Sequence, residues 1–512
     1  MGEFEIEQRA TIPALLARMV ELHGDRIQIL DPGQALSFRD VERRSAAMAR
    51  GLLASGVGKG EKVGLLMPNG CDWVVAWYAI ARIGAVAVLL STFAKPRELA
   101  YQLRHGDVRT LLSCERFLDN HFVARLTEAL PGLSEASGTH VLKLACAPYL
   151  RTIWIAGEQQ PRWAAGHFRA LEHRPHGDAF RALLPAVEAE VTPSDPAVII
   201  YTSGSTAEPK AVLHNHGTVV RQGLAMAGYM TYRPGDRCLT TMPFFWVGGL
   251  CTSLLAANIN GAGLFCPATP APENCLKALQ EHGVTHLALW PAQSAALMAM
   301  PEFGSDDFAR LRPTSAQQLA MFNLAPAELA PNSLGMSETF GPHSMEFAGV
   351  SLLPHRAGSF GRGVRDVELK IVDPETGDAV APGQFGELWV RGHALMMGFY
   401  KCERREVFEP DGFYRTGDQC SLSDDGYLFF NGRLGDMIKT SGANVSPREV
   451  ETVLLAQPGV LEAVVLGLPD PNLGERVVAV VVAAAGATLT EVALTACLQE
   501  SLSAYNTRSP KH

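Results

Sequence analysis

The sequence predicts an α/β protein whose sheet is largely parallel. Between residues 60 and 300, short apolar runs alternate with helix-like segments, and the runs are continuously apolar instead of alternating with polar residues. Strands of that kind are typical of parallel sheets covered by helices on both faces. The chain has 512 residues, of which 47% are hydrophobic. At about 150 residues per domain it is long enough for roughly three domains with sizeable cores.

The strands and helices of this part follow one another closely. The runs EKVGLLMP and AVAVLL are predicted strands, and CDWVVAWYAIARIG between them has helical spacing. KPRELAYQLRHG is the next predicted helix and RTLLSC the next strand. Further strand-like runs, each expected to lead into a helix, are PAVIIYT, CLTTM, GAGLFCP and THLALWP.

The pattern changes after about Leu352. VELKIVDPETGDAV has alternating apolar residues around a turn, which is typical of a β-hairpin, and FGELWVRG and GYLFFNG continue in the same way. We therefore expect a β-rich subdomain at about 352–433. The last segment, from MIKTSGANVSPREVE onwards, mixes strands and helices again and predicts a small terminal domain.

Charge and composition exclude several classes of partner. The net charge is −9 and the sequence has no basic run, which disfavours nucleic acid and anionic membrane as partners. The N-terminal MGEFEIEQRA is polar and acidic, unlike a signal peptide, and no apolar run reaches the ~20 residues of a membrane helix. The ten cysteines show no paired spacing, so we expect buried thiols in a cytoplasmic protein.

The stretch VIIYTSGSTAEPKAVLHNHG places a polar loop directly after an apolar strand. Backbone N–H groups of such a turn can surround an anion, and hydroxyls and a lysine add donors and charge. The loop lacks the GxxxxGK[ST] pattern, so a standard P-loop NTPase is disfavoured, and a plain surface turn is the alternative. The candidate phosphate ligands are Thr202, Ser203, Gly204, Ser205, Thr206 and Lys210.

Three further stretches carry candidate ligands. LGMSETFG contains Ser337 and Glu338, and a carboxylate near phosphates is a natural Mg²⁺ ligand. YRTGD places Asp418 after a glycine turn, where it can accept ribose hydroxyls. GRLGDMIKTSGANVSPREVE contains Arg433 and the turn at Gly442. Each stretch taken alone could equally be a solvated side chain, a plain turn or an ordinary link to a helix.

Taken together and in this order, the four stretches resemble those of the adenylate-forming superfamily, which includes acyl-CoA synthetases, luciferases and peptide-synthetase adenylation domains. The resemblance covers nearly the whole chain, including ARIGAVAVLLSTFAKPRELAYQL, GELWVRGHALMMGFYK and VVLGLPDPNLGERVVAVVV. It implies a large N-terminal domain over residues 1–433, made of two stacked α/β subdomains and the β-rich one. A small mobile C-terminal α+β domain over 434–512 is implied to follow.

The resemblance also implies roles for the candidate residues. An acid attacks ATP to give acyl-AMP and pyrophosphate, and after rotation of the C-terminal domain a thiol attacks the acyl-AMP. Residues 202–210 would form the triphosphate loop, and Glu338 would be the catalytic residue that binds Mg²⁺. Asp418 and Arg433 would bind the ribose. Gly442, also counted as catalytic, would line the pantetheine tunnel, and Gly435 would be the hinge.

The chain departs from the family pattern mainly where ATP is handled. Ala207 and Ala211 occupy positions that are usually glycine, where a left-handed backbone would cost roughly 1–2 kcal/mol if required. An alternative is that the small alanines are tolerated. Leu334 stands in place of the aromatic partner of adenine. Only seven residues follow LSAY, so we expect the chain to end before the catalytic lysine of the family.

The acyl pocket is outlined by MPFFWVGGL. Phe244, Phe245 and Trp246 beside Gly248 suggest a bulky apolar acid, although some of these aromatic residues could simply belong to the core. Gly335 is the other candidate acyl-binding residue. Since the segment has no aspartate to pair with an amino group, an amino acid is a poor candidate for the substrate.

These observations lead to three hypotheses. The first is an acyl-CoA synthetase biased to thiolation, which takes acyl-AMP from a separate adenylating enzyme and passes the acyl group to CoA. The second is a complete ATP-dependent acid–CoA ligase, with Mg²⁺, in which some other cation replaces the missing lysine. The third is an inactive protein that binds acyl-adenylates. The sequence leaves open the acid, the choice between CoA and a carrier-protein thiol, and the oligomeric state.

Overall fold

A computed structural model describes residues 9–138, 140–158, 160–173, 178–202, 208–313, 318, 322, 326, 329–434, 438–440, 443–445 and 447–501. Within these ranges the α-helices are α1 (Ile12–His23), α2 (Phe38–Ala54), α3 (Cys71–Arg82), α4 (Pro96–His105), α5 (Phe122–Ala129), α6 (Ala170–His173), α7 (Asp178–Ala189), α8 (His216–Tyr229), α9 (Ala256–Ile259), α10 (Pro272–His282), α11 (Pro291–Met298), α12 (Ser305–Arg310), α13 (Pro447–Leu455) and α14 (Glu491–Ser501). A π-helix at Gly248–Leu255 leads directly into α9.

The strands of the first half of the chain are β1 (Ile27–Asp31), β2 (Gln34–Ser37), β3 (Lys62–Leu66), β4 (Val86–Leu89), β5 (Val108–Cys114), β6 (Arg116–Phe117), β7 (Asn120–His121), β8 (Thr152–Ala156), β9 (Gly166–His167), β10 (Pro196–Thr202), β11 (Lys210–Asn215), β12 (Arg237–Thr240), β13 (Gly263–Phe265) and β14 (His286–Ala288). Those of the second half are β15 (Leu334–Met336), β16 (Gly341–Met345), β17 (Arg362–Gly363), β18 (Val367–Val372), β19 (Gly386–Gly392), β20 (Gly398–Phe399), β21 (Tyr414–Leu422), β22 (Leu428–Arg433), β23 (Ile438–Thr440), β24 (Ala443–Val445), β25 (Val460–Asp470) and β26 (Gly474–Ala483).

Two large and mainly parallel sheets confirm the predicted α/β class. The first has the order β20-β11-β10-β4-β3-β5-β8-β9, and its strands from β10 to β9 run parallel. The second has the order β14-β12-β13-β1-β2, in which β2 is antiparallel. Every residue of β4 is buried, as its continuously apolar sequence predicts.

Helix α3 fills the space between the two large sheets. All its residues except Asp72 are buried, and one core joins it to β3 of the first sheet and to β1 of the second. Trp73 and Trp77 stack along it with ring centroids 6.1 Å apart. The helix ends at Arg82, a mostly buried guanidinium that forms ion pairs with Glu42 and Glu188. A helix that is apolar all round is thus explained by burial on all sides.

The second half of the chain contains antiparallel sheets. The strands β18-β19-β21-β22 form one of them, and β15-β16-β17 form a smaller one. The sheet β24-β23-β26-β25 follows, with α13 packed on it through Val450 and Leu454 against Val465. The predicted hairpin around Pro374 is formed by a single bridge between Val372 and Ala379, while the main partner of β18 is β19.

The prediction that each strand leads into a helix is wrong at β10. The chain instead returns as β11, antiparallel to β10, with Thr202 opposite Lys210. Helix α8 begins only after this return, where the Asn215 side chain accepts a hydrogen bond from the Thr218 N–H and caps the helix. The run AVLHN supplies a second strand, because its apolar residues pack on a sheet face instead of following helical spacing.

All ten cysteines are free thiols, and six are buried, but Cys402 is exposed, so the expectation of uniformly buried thiols is wrong there. Among the helices in the described ranges, none combines the length and apolar character that would be needed to cross a membrane.

Three histidines lie in the core without access to solvent. His214, His216 and His343 are each 0% exposed. Burial lowers the pKa of His214 and of His216 to about 4 and that of His343 to about 3. Neither ring nitrogen of His343 meets a hydrogen-bond partner among the described residues. All three imidazoles are therefore neutral at pH 7, and protonating them opposes folding.

We expect the free energy of unfolding to fall as the pH drops from about 6.5 towards 4. The unfolded chain binds a proton at each of these histidines near pH 6.5, whereas the folded chain does not, so stability is complete above that pH and is lost below it. Each histidine adds up to about 1.4 kcal/mol per pH unit to this slope. Denaturant unfolding at several pH values measures it.

The variant His343→Leu isolates one of these contributions. It should reduce the slope by up to about 1.4 kcal/mol per pH unit, because one buried proton-binding group is removed. His355→Leu, at an exposed position, is the matched control and should leave the slope unchanged. An identical slope for His343→Leu and the parent would contradict the assignment of His343 as a buried neutral group.

Candidate active site

Asp418 and Arg433 face each other across two neighbouring strands. They are a directly opposed pair in β21 and β22, and the Arg433 Nε donates to the Asp418 Oδ1 at 2.8 Å. The Asp418 side chain is 4% exposed and that of Arg433 24% exposed. Burial raises the pKa of Asp418, and the guanidinium acts in the opposite direction. The Asp418 carboxylate is therefore almost enclosed, while the Arg433 guanidinium stays partly accessible at the edge of the sheet.

Glu338 lies in a tight turn between β15 and β16. Residues Ser337–Thr339 form one turn of 3₁₀-helix, and the Met396 N–H donates to the Glu338 carbonyl at 2.8 Å. The next residue, Phe340, has a φ of 48°, a left-handed conformation that is uncommon for a residue other than glycine. Gly335 allows β15 to pass close to β16, because a Cβ there would lie 2.4 Å from the Gly341 oxygen.

The Glu338 carboxyl is surrounded by charged groups from several elements. It is partly buried, which raises its pKa, while Arg433 and Lys210 favour the charged form and Asp418 opposes it. Tyr414 also lies near it: burial raises the pKa of the Tyr414 phenol, and the neighbouring Glu338 carboxylate raises it further. Two carboxyls and two cations thus converge from β11, β21, β22 and the turn.

The described residues that flank the polar loop are opposed partners in the β10–β11 hairpin. Thr202 ends β10 and Lys210 begins β11, with the Lys210 Nζ 4.9 Å from the ring centroid of Phe399. Ser203, Gly204, Ser205 and Thr206, as well as Ala207, lie outside the described residues. The strand ends therefore bring Thr202 and Lys210 together.

Ala211 adopts an ordinary strand conformation. It pairs with Tyr201 in the hairpin, accepts a hydrogen bond from the Tyr400 N–H at 2.8 Å, and is absent from the positive-φ residues. The strain that a left-handed alanine would bring therefore does not arise at this position. The methyl group is buried in the core beside Ile199 and Tyr201.

His214 and Tyr414 are site residues that the sequence analysis missed. The His214 Nε2 lies 2.7 Å from the Ser337 carbonyl oxygen, and Tyr414 contacts Glu338. A signal for Tyr414 was present in the sequence: residues 414, 416 and 418 point to one face of a strand, so Tyr414 shares the face of Asp418. No comparable signal marks His214, because its partner is a backbone oxygen 123 residues away.

Of the three predicted aromatic residues of the acyl pocket, two are enclosed. Phe244 is fully buried against Trp73, with ring centroids 5.2 Å apart, and Phe245 is nearly so. Trp246 is only half-buried and is surrounded by other rings. Its neighbours within 6.2 Å between centroids are Phe93, Phe245 and Trp290. Trp246 is thus the aromatic residue best placed to meet a ligand.

The aromatic segment leads into the π-helix, which reaches the Glu338 turn. Gly248 begins this helix, and a Cβ on the next residue, Gly249, would lie 2.0 Å from the Pro243 oxygen. Cys251 of the π-helix packs against Gly341, where a Cβ would be 3.4 Å from the Cys251 Sγ. The helix that follows the aromatic segment therefore packs against the strand that follows the Glu338 turn. π-Helices are rare and often occur at functional sites.

Lys439 adds a third cation on the C-terminal side. Its Nζ lies 3.5 Å from the ring centroid of Phe430, and burial lowers its pKa while the nearby Asp418 raises it. Its own backbone N–H is bonded to the Glu475 carboxylate at 2.6 Å. The predicted hinge Gly435 and tunnel residue Gly442 lie outside the described residues.

Leu334 does not offer an aromatic face to a base. Its aliphatic side chain is buried, in one hydrophobic cluster with Leu388, Val390 and Leu428 of the neighbouring sheet. The position just before Gly335 thus contributes to the core of the β-rich part.

The chemistry of the donor set fits a nucleotide-bound Mg²⁺ better than a protein-held metal. In the part of the chain that the structure describes, no three His, Cys, Asp or Glu side chains converge to hold a metal. Mg²⁺ is commonly bound by one or two carboxylates together with substrate phosphates and waters. The single carboxyl of Glu338, beside Lys210 and Arg433, matches that arrangement.

Family models match almost the entire chain. Residues 16–400 match the AMP-binding enzyme family, and residues 449–511 match the AMP-binding enzyme C-terminal domain. The chain is 31% identical over 513 residues to a sulfoacetate–CoA ligase of Cupriavidus necator, covering 97% of this chain and 92% of that protein. It is 30% identical over 468 residues to a 3-hydroxybenzoate–CoA ligase of Aromatoleum sp., covering 90% and 83% respectively.

Solved structures show the same fold. The o-succinylbenzoate CoA synthetase of Bacillus subtilis, bound with a product analogue, superposes with a TM-score of 0.74 at 24% identity, covering 96% of this chain and 93% of that one. The family matches, which extend over both halves of the chain, agree with the predicted resemblance. The chain belongs to the AMP-binding enzyme family and is an adenylate-forming ligase of the acyl-CoA ligase type.

Proposed function

We propose that the protein joins a bulky apolar carboxylic acid to CoA through an acyl-adenylate, using ATP. The observation that carries the proposal is the convergence of Lys210, Arg433 and Asp418 on the Glu338 carboxyl. An acid whose apolar part contacted the half-buried Trp246 would have to bring its carboxylate to these cations. Apolar pockets with a few convergent polar groups are the usual form of a small-molecule site.

In this proposal the first step places the acid carboxylate against the α-phosphate of ATP. Lys210 and the loop that it closes would hold the phosphates, since a lysine and backbone N–H groups both attract anions. Mg²⁺, held by Glu338 together with the phosphates, would offset negative charge as pyrophosphate leaves. The protein contributes orientation and positive charge to this step, and neither requires a covalent bond to a side chain.

In the same proposal Asp418 and Arg433 grip the ribose. Arg433 already fixes one carboxylate oxygen of Asp418, so the carboxylate is oriented before a ligand arrives. The second step, attack of the CoA thiol on the acyl-adenylate, releases AMP that is still held by these two residues. Residues 434–512, with the hinge at Gly435 and the tunnel at Gly442, would move between the steps.

A second candidate is an enzyme whose thioester-forming step outpaces adenylation, supplied with acyl-AMP by another enzyme. The observation in its favour is Leu334, whose side chain lies in the core and supplies no ring for adenine. Stacking of a base on an aromatic ring is worth about 1–3 kcal/mol. Without this contact, binding of ATP would depend on its ribose and phosphates, whereas acyl-AMP would add the contacts of its acyl group.

The two half-reactions can be measured separately on the purified protein. We expect acyl-CoA and AMP to form from ATP, Mg²⁺, CoA and at least one acid of a panel that runs from acetate to substituted benzoates. Exchange of pyrophosphate into ATP reports adenylation, and acyl-AMP plus CoA reports thiolation. Thiolation without exchange would favour the second candidate. Neither reaction with any acid or acyl-AMP of the panel would contradict a ligase altogether.

The variant Asp418→Ala should weaken AMP binding. Removing the carboxylate leaves ribose hydroxyls and the Arg433 guanidinium without their partner, at a cost of about 1–3 kcal/mol. This corresponds to roughly a 5- to 150-fold rise in the dissociation constant measured by calorimetry. Asp425→Ala removes an exposed carboxylate that also pairs with an arginine, Arg356, and is the control. Equal AMP affinity in Asp418→Ala and the parent would remove Asp418 from the site.

The variant Trp246→Ala should change the preference among acids. Burying an apolar side chain of this size is worth about 1.5–3 kcal/mol, so the KM for the best bulky acid should rise roughly 10- to 150-fold. The KM values for ATP and CoA should stay the same. Phe347→Ala, at an exposed aromatic residue, serves as the control. An unchanged ranking of acids would show that the indole does not contact the substrate.

A further inference from the structure

One face of β11 is turned towards the elements that carry Glu338. The residues on this face alternate along the strand: Lys210 lies over the Phe399 ring, Val212 packs with Met396 and Phe408, and His214 reaches Ser337. The strand that begins at the phosphate loop therefore also contacts the turn of the proposed metal ligand. His214 is the member of this face that is bonded directly to that turn.

His214 contacts the turn on both sides of Glu338. Its Nε2 lies 2.7 Å from the carbonyl oxygen of Ser337, the residue before the glutamate. Its ring meets the ring of Phe340, two residues after the glutamate, edge-on at 5.0 Å between centroids. Phe340 has the left-handed backbone noted above, which is stable only when the surrounding structure holds it. The imidazole thus supports both ends of the turn.

The contact fixes the chemical form of the ring. A carbonyl oxygen only accepts, so the Nε2 must carry the hydrogen and donate it, and Nδ1 is left with a lone pair. That Nδ1 is buried and meets no hydrogen-bond partner among the described residues. With its pKa lowered by burial, the ring is neutral at pH 7 and brings no charge to the cluster. Its contribution to the site is therefore geometric.

We propose that His214 is a positioning residue, which ties the turn of Glu338 to the strand of Lys210 and so sets the distance between these two side chains. The inference rests on the proposed ATP-dependent function, in which Glu338 holds Mg²⁺ and Lys210 the phosphates. Residues that orient a metal ligand typically change metal affinity or activity by about 10–100-fold when they are replaced. Replacing His214 should therefore reduce the gain in nucleotide affinity that Mg²⁺ provides and leave the affinity without Mg²⁺ unchanged.

The test measures binding of α,β-methylene-ATP by calorimetry, with Mg²⁺ and with EDTA. In the parent, Mg²⁺ should strengthen binding, and in Glu338→Gln most of this gain should be lost. His214→Leu keeps an apolar side chain of similar volume but removes the donor. We expect it to lose about 10–100-fold of the Mg²⁺-dependent gain while its affinity in EDTA stays at the parent value.

Three further variants separate positioning from stability. The amide of His214→Gln reaches about as far as the original Nε2 and should restore the gain, whereas the shorter His214→Asn should not. This pair decides the question if His214→Leu does not fold. His216→Leu removes an equally buried imidazole two residues away, which accepts from the Ile12 N–H at 3.2 Å, and should keep the full gain.

The outcomes distinguish this inference from the proposed function. A parent that binds the nucleotide with a Mg²⁺-dependent gain, and a His214→Leu variant that keeps this gain, would overturn the positioning role and leave the ligase proposal standing. An equal Mg²⁺-dependent gain in folded His214→Gln and His214→Asn would also overturn the positioning role. A parent that binds no nucleotide under either condition would overturn the ATP-dependent function and, with it, the role of His214.

Discussion

Strand β11 is bonded along both of its edges, and the site depends on this double attachment. One edge is paired with β10 of the first large sheet, and the other receives N–H groups from residues 397 and 400, which flank β20. The α/β part and the segment that bears the Glu338 contact at Met396 are therefore joined by continuous backbone hydrogen bonds. Backbone pairing of this kind is much less adjustable than side-chain packing, which suits groups that must meet at fixed distances.

The charged cluster is stable only because its members compensate one another. Two carboxyls and two cations in a partly closed space would be costly to bury singly, since an unpaired buried charge loses several kcal/mol of solvation. The opposed positions of Asp418 and Arg433 in β21 and β22 provide one pairing within the fold. Glu338 is left with longer-range attraction to Arg433 and Lys210 and with the Tyr414 hydroxyl. It is the carboxyl of the cluster with most to gain from a bound cation.

The sequence predicted the fold class and most strands. Strands and helices that are apolar on every side are stable only when they are buried between layers of secondary structure. Helix α3 is the clearest example, with apolar residues on every side and a buried position between two sheets. The return of β11 was not predicted, because AVLHN is too short for its period to distinguish a strand from the start of a helix. Local patterns and the resemblance together predicted Glu338, Asp418, Arg433 and Lys210 as ligands; the structure brings the four into one cluster, and their roles stay predictions.

Residues whose partner is a backbone group could not be predicted from the sequence. His214 is bonded to a backbone carbonyl oxygen. Every residue has such an oxygen, so the residue type at the partner position gives no sign of the contact. The aromatic segment MPFFW was ambiguous for another reason. Three adjacent rings cannot all face one pocket, and only tertiary packing shows that Phe244 is enclosed by Trp73 while Trp246 stays half-buried.

The π-helix after the aromatic segment gives the site a way to change its shape. A π-turn holds one residue more per hydrogen-bonded ring than an α-turn, so deleting a single residue between Gly248 and Leu255 can return the segment to α-helix. The extra residue is accommodated inside the π-turn, so its deletion would leave the helical segments on either side in their original register and would change only the side chains that the turn itself presents. A one-residue deletion could therefore alter the surface of this segment without any substitution and without moving the strands that hold the charged cluster.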